Sequence, residues 1–316
     1  MFGRVRFNCA RSRLVNTLKN KPLLVAYLCA VGATIFWSGN FIIARELNQS
    51  VPPVSLAFWR WLVAIAVLLP FALRPLITEW PYIRKNLPYL SITAFFGITV
   101  FNTVLYLGSQ TTSALNLSLI SITSPIFIVI LARLFLGEKL TLLKAAGILL
   151  VAAGVIVLIS RGTLSNLLNL TFAMGDLWML IASFLFAIYS ILLIQKPREI
   201  GIWSFQLSTF ILGFAFLVPF YAWEYQVVPP TVFSEVAVYS ILYLGIFASI
   251  FSFVLWNKSV LMIGASKTGM IYYTLPLFSG ILAWFILGED IGMLHFISGL
   301  MIISGIFIAN YEQQKN

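Results

Sequence analysis

Long apolar runs alternate with short polar segments along the whole chain, and ten such runs can be read. Each run is continuous and close to the length, about 20 residues, that a helix needs to cross a hydrocarbon core of about 30 Å. The two-residue alternation of a membrane β-barrel is absent, so the runs indicate helices. We predict spans at residues 23–45, 53–73, 87–107, 114–136, 141–160, 176–195, 201–223, 236–257, 265–287 and 291–310.

The composition decides between a soluble and a membrane-embedded fold. Of the 316 residues, 60% are hydrophobic and only 9% are charged, whereas soluble domains carry about 25% charged residues. A soluble protein of this size would have too little polar surface to cover so many apolar side chains. We therefore predict an all-α integral membrane protein with ten transmembrane helices, and we expect its outer surface to contact membrane lipids.

The basic residues indicate how the spans are oriented. With the N-terminus in the cytoplasm, the predicted inside segments hold 17 of the 20 Lys and Arg residues, as expected for cytoplasmic loops. Both termini are then cytoplasmic, with a basic tail over residues 1–22 and a short tail over residues 311–316. Because orientation explains the net charge of +10, no nucleic-acid partner is expected. A transit peptide stays open for the first segment, which contains Arg and lacks acids.

The second half of the chain repeats the first. The segment TSPIFIVILARLFLGE at residues 123–138 aligns without gaps with TLPLFSGILAWFILGE at residues 274–289, an offset of 151 residues. We predict two repeats of five spans, at residues 23–160 and 174–310. Because five is odd, the second repeat enters the membrane from the opposite side. Inverted repeats of this kind are common in secondary transporters, where the substrate lies near the membrane midplane.

Four segments resemble the EamA type of the drug/metabolite transporter superfamily: GATIFWSGNF, LAFWRWLVA, SPIFIVILARLFLGEKLT and YTLPLFSGILAWFILGED. The resemblance implies a basket of helices one, three, four, six, eight and nine around a central cavity. Helices five and ten lie outside this basket and often support dimers, so a homodimer is one expectation. Members of the family move small organic molecules, which implies a small-molecule substrate. The expected location is the inner (plasma) membrane of a bacterium, and an organellar inner membrane is the alternative.

Arg60 is the residue that is most costly to place in the predicted spans. An arginine near the bilayer centre costs about 2.5–3.5 kcal/mol on insertion scales, so it should be paired or face a polar cavity. Two interpretations stay open. Arg60 contacts an anionic group of the substrate, or it is a structural residue that binds backbone carbonyls of a neighbouring helix. An arginine at this place is common in the family that the chain resembles, which favours the structural role.

Polar and aromatic residues inside the spans are the candidates for the substrate site. An amide in hydrocarbon is costly unless it is hydrogen bonded, so such residues should face protein or water. Together the aromatic residues would hold an apolar amino acid, or would form a cation–π cage around a quaternary amine. The candidate substrate-binding residues are Trp37, Asn40, Asn102, Tyr106, Ser121, Tyr189, Trp256, Tyr272 and Tyr273.

Two prolines occupy equivalent places in the fourth and ninth predicted spans. Pro125 and Pro276 are separated by the same offset of 151 residues. A proline removes one backbone hydrogen bond and kinks a helix, which leaves a carbonyl that a neighbour or ligand must satisfy. We expect these two positions to act in gating, with one gate for each side of the membrane.

The predicted function is that of a carrier that moves a small organic metabolite, such as an amino acid, by alternating access. No Asp or Glu lies at mid-depth in a predicted span, which favours an exporter or exchanger over a proton-driven carrier. Uptake of a quaternary amine such as choline is the alternative. A lipid-modifying membrane enzyme is a remote third reading, because neither a Ser/His dyad nor a metal-binding cluster is visible. Neither a metal nor a cofactor is expected.

Overall fold

The structure is a computed structural model, and it describes residues 3–48, 50–112, 117, 120–159, 173–229, 231–287 and 293–311. Every regular element in these ranges is helical. Two of the elements are turns of π-helix, at Phe95–Val100 (the first π turn) and Ile246–Phe251 (the second π turn). The α-helices are α1 (Gly3–Glu46), α2 (Pro53–Thr78), α3 (Trp80–Lys85), α4 (Leu87–Ala94), α5 (Phe101–Thr111), α6 (Thr123–Leu136), α7 (Leu142–Ile159), α8 (Met174–Ile194), α9 (Ile202–Val227), α10 (Glu235–Gly245), α11 (Ser252–Ile263), α12 (Ala265–Tyr272), α13 (Leu275–Leu287) and α14 (Met293–Tyr311).

Six of the described segments are long and apolar enough to cross a membrane, which makes the chain a multi-pass membrane protein. Three shorter apolar helices accompany them, at Thr123–Leu136, Leu142–Gly154 and Phe296–Ala309. The predicted ninth span is divided between α12 and α13, and the first residues of the fourth and tenth spans lie outside the described ranges. The count of ten therefore stays a prediction. The six long segments are Pro22–Glu46, Pro53–Thr78, Leu87–Thr111, Met174–Ile194, Ile202–Val227 and Glu235–Ile263.

Two prolines at the edges of predicted spans, Pro22 and Pro75, lie inside helices. The first helix extends through Pro22 and begins at Gly3, within the segment predicted as a tail. Helix α2 likewise continues through Pro75 to Thr78, so the predicted end of the second span at residue 73 is too early. A proline removes only one backbone bond, and packing against a neighbouring helix compensates for it in a long apolar segment.

Helices α2 and α9 pack side by side. A glutamate near the C-terminal end of each helix accepts hydrogen bonds at the N-terminal end of the other. The buried Glu224 carboxylate accepts hydrogen bonds from the backbone N–H groups of Val54 (2.9 Å) and Ser55 (2.6 Å) at the start of α2. At the opposite end, Glu79 accepts one from the N–H of Gly201 (2.7 Å), just before α9. A carboxylate at a helix N-terminus satisfies unpaired donors and opposes the positive end of the helix dipole. The two helices are therefore antiparallel.

The two π turns are equivalent in sequence, because their first residues are 151 positions apart. A π turn widens the helix and leaves backbone groups without their usual i−4 partners. Polar side chains five positions further on compensate in both turns: Asn102 donates to the Gly97 carbonyl at 3.3 Å, and Ser252 donates to the Phe247 carbonyl at 2.9 Å. Helix α9 packs against the first π turn, and α2 packs against the second.

Two breaks in the helices are also related by the offset of 151 residues. Ile122 forms a turn before α6, and Tyr273 forms one before α13. Threonine closes each break, since Thr123 donates to the Ile120 carbonyl at 2.6 Å and Thr274 donates to the Ile271 carbonyl at 2.7 Å. Ile122 and Tyr273 belong to one buried apolar cluster, so the two breaks lie close together.

The breaks correct the expectation that Pro125 and Pro276 kink continuous helices. Pro125 is the third residue of α6, and Pro276 is the second residue of α13. Proline fits the first turn of a helix because the N–H it lacks would have no intrahelical partner there. Each proline therefore begins a new helical segment.

The LGE motif of the first repeat joins two parts of the chain. Glu138 follows α6 and forms an ion pair with Lys144 of α7 (3.2 Å). The same carboxylate accepts a hydrogen bond from the Ser266 hydroxyl, at 2.5 Å, in the first turn of α12. The equivalent Glu289 lies outside the described residues. Glu138 therefore attaches the start of the broken helix pair α12–α13 to the connection between α6 and α7.

The two glutamate caps should differ in their contribution to stability. We expect Glu224→Ala to lower the thermal unfolding midpoint of the detergent-solubilised protein by several degrees, because two backbone donors and the Ser55 hydroxyl lose a buried acceptor, at about 1–3 kcal/mol for each buried unsatisfied group. Glu79→Ala should have a smaller effect, since Glu79 accepts one bond at an exposed position. Equal effects of the two variants in differential scanning fluorimetry would contradict this prediction.

Candidate functional site

A small cavity lies among helices of both halves of the chain. Its volume is about 10 Å³, room for about one water molecule and far below the range of about 300–1,000 Å³ that is typical of occupied small-molecule sites. Helices α1, α5, α8 and α12 contribute its walls. The lining residues are Trp37, Asn40, Phe41, Phe101, Asn102, Leu105, Phe186 and Tyr272.

Packed aromatic rings form one wall of this cavity. The Trp37 ring lies 5.3 Å from Phe186 in an edge-to-face contact and 5.3 Å from Trp256. The Tyr272 ring is 5.5 Å from Phe186 and 6.0 Å from Trp37. Such arrangements stabilise ring pairs by about 0.5–1.5 kcal/mol beyond their burial. The wall is therefore a largely apolar surface of packed rings.

A fully buried arginine lies behind the cavity. Arg60 extends from α2 and binds the second π turn, since its Nε donates to Ser249 Oγ at 2.6 Å and its Nη2 donates to the Ala248 carbonyl at 2.8 Å. Its Nη1 donates to Asn102 Oδ1 and to the Tyr106 hydroxyl, both at 2.7 Å. The guanidinium also lies 4.8 Å from the Trp61 ring centroid. Arg60 thus joins α2, α5 and the second π turn.

The same hydrogen-bond network fixes two residues of the cavity wall. The Asn40 side-chain oxygen accepts a hydrogen bond from the Tyr106 hydroxyl at 3.1 Å and a longer one from Arg60 Nη1 at 3.5 Å. Trp37 Nε1 donates to the Ala248 carbonyl at 3.0 Å, the carbonyl that also binds Arg60. One π-turn carbonyl therefore positions both the arginine and the indole.

A neutral counterpart of this network occurs in the second half. The Tyr189 hydroxyl donates to Asn257 Oδ1 at 2.8 Å, and Asn257 Nδ2 donates to Gln206 Oε1 at 2.8 Å. Tyr189, Asn257 and Gln206 lie on α8, α11 and α9. In the first half, Asn40, Tyr106 and Arg60 lie on α1, α5 and α2. An amide, a phenol and a third polar group thus recur, with a glutamine in place of the arginine.

The structure brings most of the predicted site residues to this region. Trp37, Asn40, Asn102 and Tyr272 line the cavity. Tyr106 and Arg60 lie behind the two asparagines, and Trp256 lies behind Trp37 and Phe186.

Three predicted residues lie further from the cavity. Ser121 interacts with the Tyr272 hydroxyl. Tyr189 belongs to the neutral network. Tyr273 is in the cluster at the helix breaks, with Ile122, Val151 and Ile302.

Several residues of the site are not evident from the sequence. Phe186, Phe101 and Leu105 look like ordinary span residues, so composition alone gives no reason to select them. The repeat would have identified Phe186, because it lies 149 positions after Trp37, the same offset that relates Pro70 to Pro219. Gln206 lies near a predicted span end, and its role depends on a contact with α11.

Comparisons with known proteins agree with these features. The family model described as "EamA-like transporter family" matches twice, over residues 24–160 and 173–311. The chain belongs to the EamA-like transporter family. The resemblance expected from the sequence is thereby confirmed, and the role of a transporter is supported by the names of its relatives.

Two of the curated relatives illustrate matches that span nearly the whole chain. An uncharacterized transporter of Archaeoglobus fulgidus is 29% identical over 289 residues, which cover 89% of this chain and 96% of the relative. The uncharacterized transporter YyaM of Bacillus subtilis is 26% identical, with 90% and 93% of the two chains covered. A solved crystal structure superimposes with a TM-score of 0.72 over 92% of this chain and 98% of the other. At 18% identity, this likeness shows the fold alone.

The buried network of Arg60 should stabilise the protein measurably. Tyr106→Phe removes a hydroxyl that both accepts from Arg60 and donates to Asn40. We expect a loss of about 1–3 kcal/mol from the unpaired buried groups, seen as a lower thermal unfolding midpoint. Tyr239→Phe is the matched control, because Tyr239 is 70% exposed. Unfolding midpoints that agree within a degree for the two variants would rule out a structural role for the hydroxyl.

Proposed function

We propose that this EamA-like protein is a secondary transporter that moves a small organic metabolite by alternating access. Its ten transmembrane helices would form two inverted five-helix repeats around the central cavity, with both termini in the cytoplasm. The membrane would be the inner (plasma) membrane of a bacterium. The observation that carries this proposal is the cavity, because helices of both halves line it: α1 and α5 from the first half, and α8 and α12 from the second.

The paired elements support alternating access. Each half has one π turn and one broken helix, and both pairs are related by an offset of 151 residues. Irregular backbone at membrane depth is tolerated where it is buried in protein or lines a cavity, and transporters use it near their substrate sites. Equivalent bending points in antiparallel halves would give one opening to each side of the membrane.

The cavity lining supports a substrate with one apolar part and one polar part. Aromatic rings face the cavity from α1, α8 and α12, and the amides of Asn40 and Asn102 face it from α1 and α5. Few polar groups in a largely apolar cavity are typical of sites that orient a small metabolite. An amino acid or a related compound fits this description. The absence of Asp and Glu from the middle of the predicted spans favours export or exchange.

A quaternary amine such as choline is the second candidate. The cluster of Trp37, Trp256, Tyr272 and Phe186 favours it, since aromatic faces attract quaternary ammonium groups.

Transport by the purified protein tests the proposed function. We would reconstitute the protein in liposomes loaded with unlabelled amino acids or choline, and measure counterflow of the labelled compound with and without a pH gradient. The expected result is saturable exchange of one class, independent of the gradient, and absent from protein-free liposomes. If no water-soluble organic solute moves faster than in protein-free liposomes, the proposed function is wrong.

The prolines at the two breaks should affect the rate of transport. Pro125→Ala and Pro276→Ala each restore an N–H in the first turn of α6 or α13 and allow a continuous helix across the break. We expect each variant to lower the initial counterflow rate at least threefold while the unfolding midpoint stays the same or rises. Pro219→Ala is the control, because Pro219 lies inside α9 away from both breaks. Unchanged rates in both break variants would exclude a gating role.

A further inference from the structure

The positive charge of Arg60 has only neutral partners in the described part of the chain. Its hydrogen bonds go to a hydroxyl of Ser249, a carbonyl of Ala248, the amide oxygens of Asn102 and Asn40, and the phenol of Tyr106. The ion pair found in the described ranges joins Lys144 to Glu138, at the connection between α6 and α7.

The described carboxylates that make hydrogen bonds lie at or near helix ends, as with Glu79, Glu224 and Asp176. A buried cation bound only by dipoles keeps its attraction for an anion, because the low dielectric of the interior screens it weakly.

The hydrogen bonds of Asn40 determine which end of its amide faces the cavity. Its oxygen is occupied by the donors of Tyr106 and Arg60. The Asn40 side chain is 4% exposed and lines the cavity. Its nitrogen has no hydrogen-bond partner among the described residues, which leaves two N–H donors without an acceptor. An amide oxygen held by two donors points its nitrogen away from them.

Asn102 differs from Asn40 in this respect. Its oxygen also accepts from Arg60, but its nitrogen donates to the Gly97 carbonyl of the first π turn at 3.3 Å. The unsatisfied donors of the cavity therefore belong to Asn40, which lies beside the buried positive charge. A ligand that supplies acceptor oxygens and a negative charge would satisfy both features, since hydrogen bonds to ionised acceptors are the stronger kind.

We infer that this cavity, widened by separation of its walls, binds the carboxylate of a small apolar organic acid, with the Asn40 amide as the direct donor and Arg60 as the source of the favourable potential. The apolar part of the ligand would pack against Trp37, Phe186 and Tyr272. This inference rests on the proposed function and names the substrate class, and it argues against the quaternary amine. The network of Tyr189, Asn257 and Gln206 carries no charge, so Arg60 is the charged member of the two networks.

Binding to a matched set of probes tests the charge preference. The probes are L-leucine and 4-methylvalerate, which carry a carboxylate, and L-leucinamide and choline, which do not. Isothermal titration of the full-length protein in detergent should give a Kd for at least one carboxylate probe that is at least tenfold lower than for either cation. Tighter binding of leucinamide or choline, or no binding of either carboxylate probe, overturns the inference.

A charge substitution tests the residues. Asn40→Asp keeps the side-chain shape and gives Arg60 an ionic partner, so the protein should remain folded while the cavity loses its donors and its positive potential. We expect the Kd of the carboxylate probe to rise at least tenfold. Thr209→Val is the matched control. Thr209 is 149 positions after Arg60, and its hydroxyl bonds only to carbonyls of its own helix, so the Kd should stay within twofold.

Two outcomes separate this inference from the proposed function. An Asn40→Asp variant that binds the carboxylate probe within twofold of the unmodified protein overturns the assignment to Asn40 and Arg60. Counterflow of choline but of no carboxylate also overturns the inference and leaves the transporter function intact. Arg60→Gln gives a second measurement, because it should reduce the ratio of carboxylate to cation affinity even where overall stability falls.

Discussion

The guanidinium of Arg60, buried without a carboxylate partner among the described residues, is the interaction on which the site depends. Desolvating an arginine is costly, so each neutral group around it must be placed accurately. The Ala248 carbonyl that binds it lies in the second π turn. That carbonyl also positions Trp37, and the opposite side of the guanidinium fixes Asn102 and Tyr106. The cavity wall is thus assembled around one charge.

The charge also distinguishes two halves that have similar backbone features. Both halves have a π turn, a helix break and a three-member polar network. The first network contains Arg60 and the second contains the neutral Gln206, so the two networks differ in charge. The duplicated scaffold therefore has one charged network and one neutral network.

The helical, membrane-spanning character of the chain could be predicted from the sequence, because long apolar runs directly reflect the bilayer. The repeat is also evident from the sequence, since the segment from Pro125 to the LGE motif recurs without a gap. The helix break before Pro125 was not predicted, because a proline specifies a lost bond and does not specify whether the helix bends or restarts. The π turns left no composition signal, since FFGITV and IFASIF are ordinary span sequences.

Site residues were predictable only where a polar group in hydrocarbon demanded a partner, as with Asn40, Asn102 and Arg60. Aromatic residues gave a weaker signal, because burial alone explains Tyr273 as well as Tyr272. Phe186 and Gln206 required knowledge of which helices face each other, and this information is tertiary. The same limit applies to the amide of Asn40, whose direction depends on Tyr106 from another helix.

The crossed glutamate caps have a consequence for how the protein is made. Helix α2 emerges from the ribosome more than a hundred residues before Glu224, which completes its first turn. The donors at Val54 and Ser55 must therefore rely on water or lipid headgroups until α9 is inserted. A chain truncated after the first repeat would expose the N–H groups of Val54 and Ser55 to quality-control factors, whereas in the full chain Glu224 binds both groups.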